Sequence, residues 1–489
     1  MPRPDRSRPT VRFRPNASLE RLEERQLLSA VPIATSSALP AMQTDIGVLS
    51  AVSSAPPAFY TPSQVRTAYG VPNLINGTLP GQGMTVAIVD AYSQPNIQSD
   101  VNLFSSFFSL PKMDGVGSDP TLSVLVPTGQ STPGLPPSGT NWGIEISLDV
   151  EWVHSIAPYA NIDLVTCQDS SGDSLYGAEA DGLSYASGVG YAKSLPGVVV
   201  VSNSYGGPEF SGETAYDSQF TTSSNNVAFV FSTGDSGAPA EYPAYSPNVV
   251  AVGGTSLYTK SIKGQYGSEI GWSGSGGGVS LYEPTPSYQS SNGVNYGMRS
   301  VPDVSWLADP NTGVYIVDTL DIGGSGLGVE GGTSLAAPMW AGLIALGDQA
   351  RGIGNSLSST GVLDSLYGAY NSPSYSTDFH DITSGYNGHS AGTGYDLVTG
   401  IGTPKAQAIF NLLGAVTPAV TTGSLTIANT GHSAGPLNVY YNPEKSVWVY
   451  SKPLSPISIN SVFTDGALSD FVTTVDIPKA KKIGSLLFS

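Results

Sequence analysis

The 489-residue chain has one cysteine, Cys167. No disulfide framework can form, so the stability of an exported form rests on its core or on a bound metal. Cys167 ends the strand-like run "NIDLVTC" and reads as a small buried apolar residue, since no histidine-containing motif marks it as a catalytic thiol. Histidine is scarce as well, with four residues in the whole chain. Charged residues make up only 12 %, and serine, threonine and asparagine fill the polar positions. No run of 18 apolar residues exists, so the sequence offers no transmembrane helix. Basic residues number 20 against 38 acids, a formal net charge of −18. Such an acidic body argues against a nucleic-acid partner. It suits Ca²⁺ binding or work at low pH, although solubility alone accounts for many of these acids.

What is abundant is glycine (58) and proline (37), beside 40 % hydrophobic residues. That composition predicts a loop-rich protein with a sizeable core, not a disordered one. Residues 1–30 are arginine-rich at first and lack the long apolar stretch of an ordinary secretory signal. Their "LERLEERQLLSA" resembles a short segment at the N-termini of exported bacterial proteins; an amphipathic helix or a disordered tail is the other reading. Residues 31–59 read as an Ala/Ser/Pro/Thr-rich linker.

From Tyr60 onward, short apolar runs alternate with helical spacing. Strands are expected at 84–92, 160–167, 197–206, 225–237 and 248–254, and helices at 99–110, 142–158, 175–187 and 333–350. The alternation predicts an α/β fold with a parallel sheet covered by helices on both faces. Ligands in such folds bind beyond the carboxyl ends of the strands. Asp90, Asn203 and Asp235 stand at such ends. Residues 415–489 alternate apolar and polar positions with turn signals, and are expected to form a small β-rich appendix.

Three segments can carry chemistry. In "EISLD", Glu145 and Asp149 are four apart, so both carboxylates lie on one helical face. Their flanks are apolar, from Trp142 to Trp152. Two carboxyls in such surroundings cannot both ionise cheaply and would share a proton, which gives one of them the elevated pKa that a base for serine needs. In "FSTGDSG", Asp235 follows an apolar strand; it is either aimed into a cleft or closes an Asx-turn. In "GGTSLAAP", Ser334 opens a long helix whose free N–H groups would stabilise an oxyanion. Glycines 331 and 332 would let a peptide approach. A capping serine is the plain alternative.

Together these segments resemble the subtilisin-like clan, in which a G-T-S-x-A-x-P segment carries the nucleophile. A subtilisin-type triad asks for a histidine between Asp90 and Ser334. Only His154 lies there, without the expected context. The full set resembles the sedolisin family, the serine-carboxyl peptidases, from about residue 60 to residue 412. "SNSYGG", "SGGGVSLYEPTPSYQ" and "VPDVSWLADPNTG" add to the likeness. The resemblance implies a subtilisin-like domain over 60–414, with Ser334 as nucleophile, Glu145 and Asp149 in place of histidine, and Asp235 in the oxyanion hole. It also implies one structural Ca²⁺ held by Asp381, Ile382, Gly392, Gly394 and Asp396 in "HDITSGYNGHSAGTGYD". The implied protein is a monomeric endopeptidase, secreted or at the cell surface or periplasm of a bacterium, acting on peptides at acidic pH. Two departures stand out. Only 59 residues precede the peptidase region, where the family usually carries a long pro-domain, and a glycine replaces the family's common serine before Gly332. A tripeptidyl exopeptidase of the same family and a non-catalytic binding protein on this scaffold remain the alternatives.

Overall fold

The computed structural model describes residues 59–415, except 178–185, 224–225 and 353, and adds short strands at Leu39–Pro40 and within 425–488. The expected sorting segment, nearly all of the linker and most of the β-rich extension lie outside the described residues.

The chain builds an eight-stranded sheet. In chain order its strands are β1 (Thr85–Ala91), β2 (Leu122–Leu125), β3 (Asn161–Cys167), β4 (Val198–Asn203), β5 (Ala228–Ser232), β6 (Val250–Thr259), β7 (Tyr266–Gly271) and β8 (Val304–Leu307). Seven run parallel in the spatial order β8-β6-β5-β4-β1-β3-β2, and β7 pairs antiparallel with the far half of β6. The Val-rich runs explain this placement. β4 is "VVVVSN" and buried at every position, as a parallel strand covered on both faces must be. Alternation is visible in β1. Val86 and Ile88 join one apolar cluster, while Ala87, Val89 and Ala91 join the other.

The first cluster holds the helices that matter. α1 (Ile97–Phe108) packs beside α2 (Trp142–Ile156), and α3 (Thr333–Arg351) runs through the core. Both α2 and α3 are buried on all sides, which marks interior helices. All of α2 and α3 as far as Asp348 are buried. They touch closely at Gly342, where an added Cβ would lie 2.9 Å from the Ile156 Cβ. Two further helices, α4 (Ser359–Tyr370) and α5 (Ala406–Gly414), close the C-terminal side. Most of the helix expected at 175–187 lies outside the described residues; at its start Asp173–Gly177 forms a π-helical turn, and a short helix follows at Gly188–Ala192. Residues 178–185 are outside the described set.

One buried ion pair ties the sheet to its edge. Arg299 donates to both oxygens of Asp303 at 2.7 Å, with both side chains fully buried. Asp303 also accepts from the Ala251 N–H (2.8 Å) and the Tyr367 hydroxyl (2.7 Å).

Candidate active site

All parallel strands point their carboxyl ends to one edge, and there the candidate residues gather. Gly332 (φ 108°) is the N-cap of α3, so Thr333 and Ser334 are its first two helical residues. Ser334 is therefore not a capping serine. Its N–H belongs to the first turn, whose N–H groups have no intrahelical acceptor. Four residues on, Pro338 has no N–H to give, so the Ser334 carbonyl lacks its usual helical partner. The Ser204 hydroxyl lies 3.4 Å from that carbonyl, and the Ser334 hydroxyl lies 3.5 Å from the Ser204 carbonyl.

The glycines before Ser334 have a different use from the one expected. A Cβ on Gly331 would lie 2.4 Å from the Ala308 carbonyl oxygen, and the Gly332 N–H donates to that same oxygen at 2.5 Å. Gly331 makes room for the protein's own backbone, not for a peptide.

α2 brings Glu145 and Asp149 to the serine. Both are fully buried. The Ser334 hydroxyl faces the Glu145 carboxyl closely enough to favour its charge, yet neither Glu145 oxygen has a hydrogen-bond partner of good geometry. Burial, then the neighbouring Asp149 and Asp90, holds Glu145 well above the usual carboxylate range. Burial and Asp90 also raise Asp149, against the pull of a 2.8 Å bond from the Ser204 hydroxyl. Asp90, at the end of β1, is fully buried without a hydrogen-bond partner, and burial pushes it up to about 8. Three carboxyls thus share one dry space.

Asp235 approaches from the loop after β5. Its Oδ1 accepts the Thr333 N–H and the Thr333 hydroxyl, each at 2.8 Å, and the Gly234 N–H binds that hydroxyl at 3.1 Å. These bonds run to the first residue of α3. The residue is partly exposed, but its Oδ2 is sealed from solvent, and the carboxyl atoms decide its titration. Burial pushes Asp235 up to about 8 despite the Thr333 bonds. A carboxyl held there favours its protonated form, which can donate a hydrogen bond, at acid pH.

Ser204 and Thr333 were absent from the sequence-based set. Each sits beside a recognised residue, in "SNSYGG" and "GGTS", but their partners lie 55 and 98 positions away. His154 is excluded as a base for Ser334. It lies nine residues beyond Glu145 on α2, about 14 Å along the axis. Its Nε2 faces the Pro111 carbonyl (2.9 Å) and the Ser105 hydroxyl (3.2 Å), and burial lowers it to about 4. Next to Ser204, the Tyr205–Gly206 backbone edge carries an antiparallel two-residue partner, Leu39–Pro40.

The residues expected around calcium also meet. The Gly394 N–H donates to Asp381 Oδ1 (3.0 Å) and the Gly392 N–H to Asp396 Oδ2 (2.9 Å). Asp396 Oδ1 accepts from the Val398 and Thr399 N–H groups at 2.8 Å, and burial raises its pKa. Ile382, beside Asp381, is buried. Neither carboxylate has an ion-pair partner among the described residues. Nor do the described residues hold a cluster of three His, Cys, Asp or Glu able to bind a metal. Two carboxylates are hard oxygen donors, a chemistry that would suit Ca²⁺ and not a transition metal.

Comparison with known proteins follows the same lines. The subtilase family profile matches residues 139–360. Kumamolisin from Bacillus sp. (strain MN-32) is 31 % identical over 385 residues, covering 72 % of this chain and 63 % of the relative. Sedolisin from Pseudomonas sp. (strain 101) is 41 % identical over 177 residues, 33 % of this chain and 28 % of the relative. Tripeptidyl-peptidase 1 from Dictyostelium discoideum is 30 % identical over 55 % of this chain and 47 % of the relative. The chain thus spans less than two thirds of the length of these relatives. Among solved structures, Pseudomonas sedolisin, a serine-carboxyl proteinase complexed with two molecules of pseudo-iodotyrostatin, superposes with a TM-score of 0.59. It is 27 % identical and covers 74 % of this chain and 100 % of that one.

Proposed function

The chain belongs to the sedolisin family of serine-carboxyl peptidases, and on that premise we propose that it cleaves peptide bonds through Ser334, Glu145, Asp149 and Asp235. The observation that carries this reading is the Glu145 carboxyl facing Ser334, fully buried, with Asp149 one helical turn on.

The Ser334 Oγ attacks the scissile carbonyl carbon, and its proton passes to the ionised Glu145. Glu145 then gives that proton to the departing amine, and the C–N bond breaks. Water hydrolyses the acyl-serine by the same route in reverse. Asp149, held by Ser204, shares the proton network and keeps Glu145 oriented. Asp90 extends that network. The oxyanion takes hydrogen bonds from protonated Asp235 and from the Ser334 N–H. A carboxyl that must donate works only while protonated, so activity is expected at acid pH and to be lost at alkaline pH. The Tyr205–Gly206 edge already accepts an extended chain in Leu39–Pro40, and a substrate would pair there in the same manner. Asp381, Asp396 and the backbone at Ile382, Gly392 and Gly394 would hold one Ca²⁺, whose charge fixes that loop. Export from a bacterial cell and endopeptidase action complete the reading. Among the described residues no helix is long and apolar enough to cross a membrane.

The test is cleavage of casein and of an N-blocked peptide at pH 4 and pH 8. Turnover of both at pH 4, lost in Ser334→Ala and Glu145→Ala, is expected. Cleavage of free N-termini alone identifies the tripeptidyl alternative. An alkaline optimum, or normal turnover by Glu145→Ala, refutes the mechanism.

A further inference from the structure

We infer that Asn387 is a positioning residue for Asp235. Its buried side-chain amide locks the loop that carries Asp381 and Asp396 onto the glycine-rich segment Ser273–Gly277, and its backbone carbonyl holds the loop that carries Asp235. The inference rests on the reading of Asp235 as the oxyanion donor.

The geometry has three parts. The first is the Asp235 loop. Beyond Thr333 it is tied to its surroundings by backbone bonds: Gly276 N–H to the Gly234 carbonyl (2.8 Å), Gly237 N–H to the Gly274 carbonyl (2.9 Å) and Ala238 N–H to the Asn387 carbonyl (2.7 Å). The second is the glycine-rich segment Ser273–Gly277, which supplies two of those partners. The third is the segment Asn387–Leu397. The Asn387 side chain joins the second and third, and its backbone carbonyl joins the third to the first. Its Nδ2 donates to the Ser275 carbonyl at 2.7 Å and to the Leu397 carbonyl at 3.1 Å, and its Oδ1 accepts the His389 N–H at 3.0 Å. Asn387 is 6 % exposed, and every hydrogen-bonding atom of its amide has a partner in one of these segments.

The contact leaves no slack. A Cβ on Gly237 would lie 2.5 Å from the Asn387 carbonyl oxygen, and one on Gly277 would lie 2.0 Å from the Leu397 carbonyl oxygen and 2.9 Å from Asn387 Nδ2. Removing the amide would leave two buried carbonyls without donors, and water would be the only replacement. Water at this point is two residues from Asp235 along the glycine-rich bonds. It would hydrate the carboxyl and lower a pKa that burial now holds up. The titratable groups that face Asp235 are Glu145 on α2 and Glu241 in its own loop. Both repel its charge, and neither would change with Asn387.

The test compares Asn387→Ala and Asn387→Asp with Leu413→Ala in the full-length protein. Leu413 packs on Gly347, thirteen residues down α3 from Ser334 and about 20 Å away along the axis, so it controls for lost stability alone. In Asn387→Ala, kcat is expected to fall at least tenfold with KM within threefold. The basic limb of the kcat–pH profile is expected to move about one unit to lower pH. Asn387→Asp is expected to recover toward wild type at the lowest pH, where its neutral carboxyl regains one O–H donor, and Asn387→Ala is not. Leu413→Ala, at equal loss of Tm, keeps the wild-type limb. A second readout needs no catalysis. The gain in denaturation midpoint that Asp235→Asn gives at pH 7 should shrink by at least half in the Asn387→Ala background. An unmoved limb and an unchanged gain overturn the inference. A wild type that cleaves no peptide refutes the proposed function instead, and the denaturation cycle still decides the role of Asn387.

Discussion

Replacing Asp235 by asparagine separates the acid dependence of the fold from that of the chemistry. Burial holds Asp235 near 8, against an ordinary value of 3.8. Between those values the folded protein keeps a proton that the unfolded chain has released. Stability is therefore fully present below about pH 4 and falls as the pH rises toward 8. Each pH unit in that window costs about 1.4 kcal/mol, so the span from pH 4 to pH 7 costs at most about 4 kcal/mol. Partial exposure of the residue and relaxation of the loop halve this to about 2 kcal/mol in our expectation. Asparagine is neutral throughout, and its Oδ1 still accepts both Thr333 bonds. The assay is guanidinium unfolding of both proteins at pH 4, 5, 6 and 7, followed by tryptophan fluorescence. Asp90, Glu145 and Asp149 titrate in both and cancel in the difference. Wild type should lose about 2 kcal/mol more than Asp235→Asn between pH 4 and pH 7. Equal slopes would refute the claim that the carboxyl is dry and protonated.

Ser204→Ala removes the 2.8 Å bond to Asp149 and should lower kcat about tenfold with little change in KM, as loss of about one charge-assisted hydrogen bond implies. Arg299→Met strands Asp303 in the core and should cost about 3–5 kcal/mol, read as a lower denaturation midpoint at every pH above 5. Chelation with EDTA should lower Tm by the equivalent of about 3 kcal/mol if the loop at Asp381 and Asp396 binds calcium a hundredfold below its working concentration. Asp381→Ala should abolish that response.

The parts of the site that were legible in the sequence are those with local signatures. Glu145 and Asp149 announce themselves by a four-residue spacing amid apolar neighbours. Ser334 and Asp235 lie in short glycine-flanked motifs at element boundaries. Sheet and long helices were legible for the same reason, since Val-rich runs and a largely apolar helix have few other resting places. What escaped were residues whose meaning is a partner far along the chain. Ser204 looks like any strand-end serine until Asp149 arrives across 55 residues. Thr333 looks like a cap until Asp235 is beside it. Asn387 lies inside a string that reads as a cation loop, and nothing local says that its amide reaches Ser275. Gly331 was legible as a glycine needed for close approach, but what approaches it is the protein's own strand-end backbone at Ala308.

The placement of Ser334 on α3 also divides the molecule by its dynamics. That helix runs through the core, so its amides from Met339 to Leu346 are expected to exchange with solvent only when the whole domain opens. The nucleophile is thereby tied to the slowest-opening part of the protein. Any breathing that admits a substrate belongs to the glycine-rich loops facing it, which are held mainly by hydrogen bonds. Amide exchange should show this as two classes of protection meeting in the first turns of α3, one set by global stability and one by the loops.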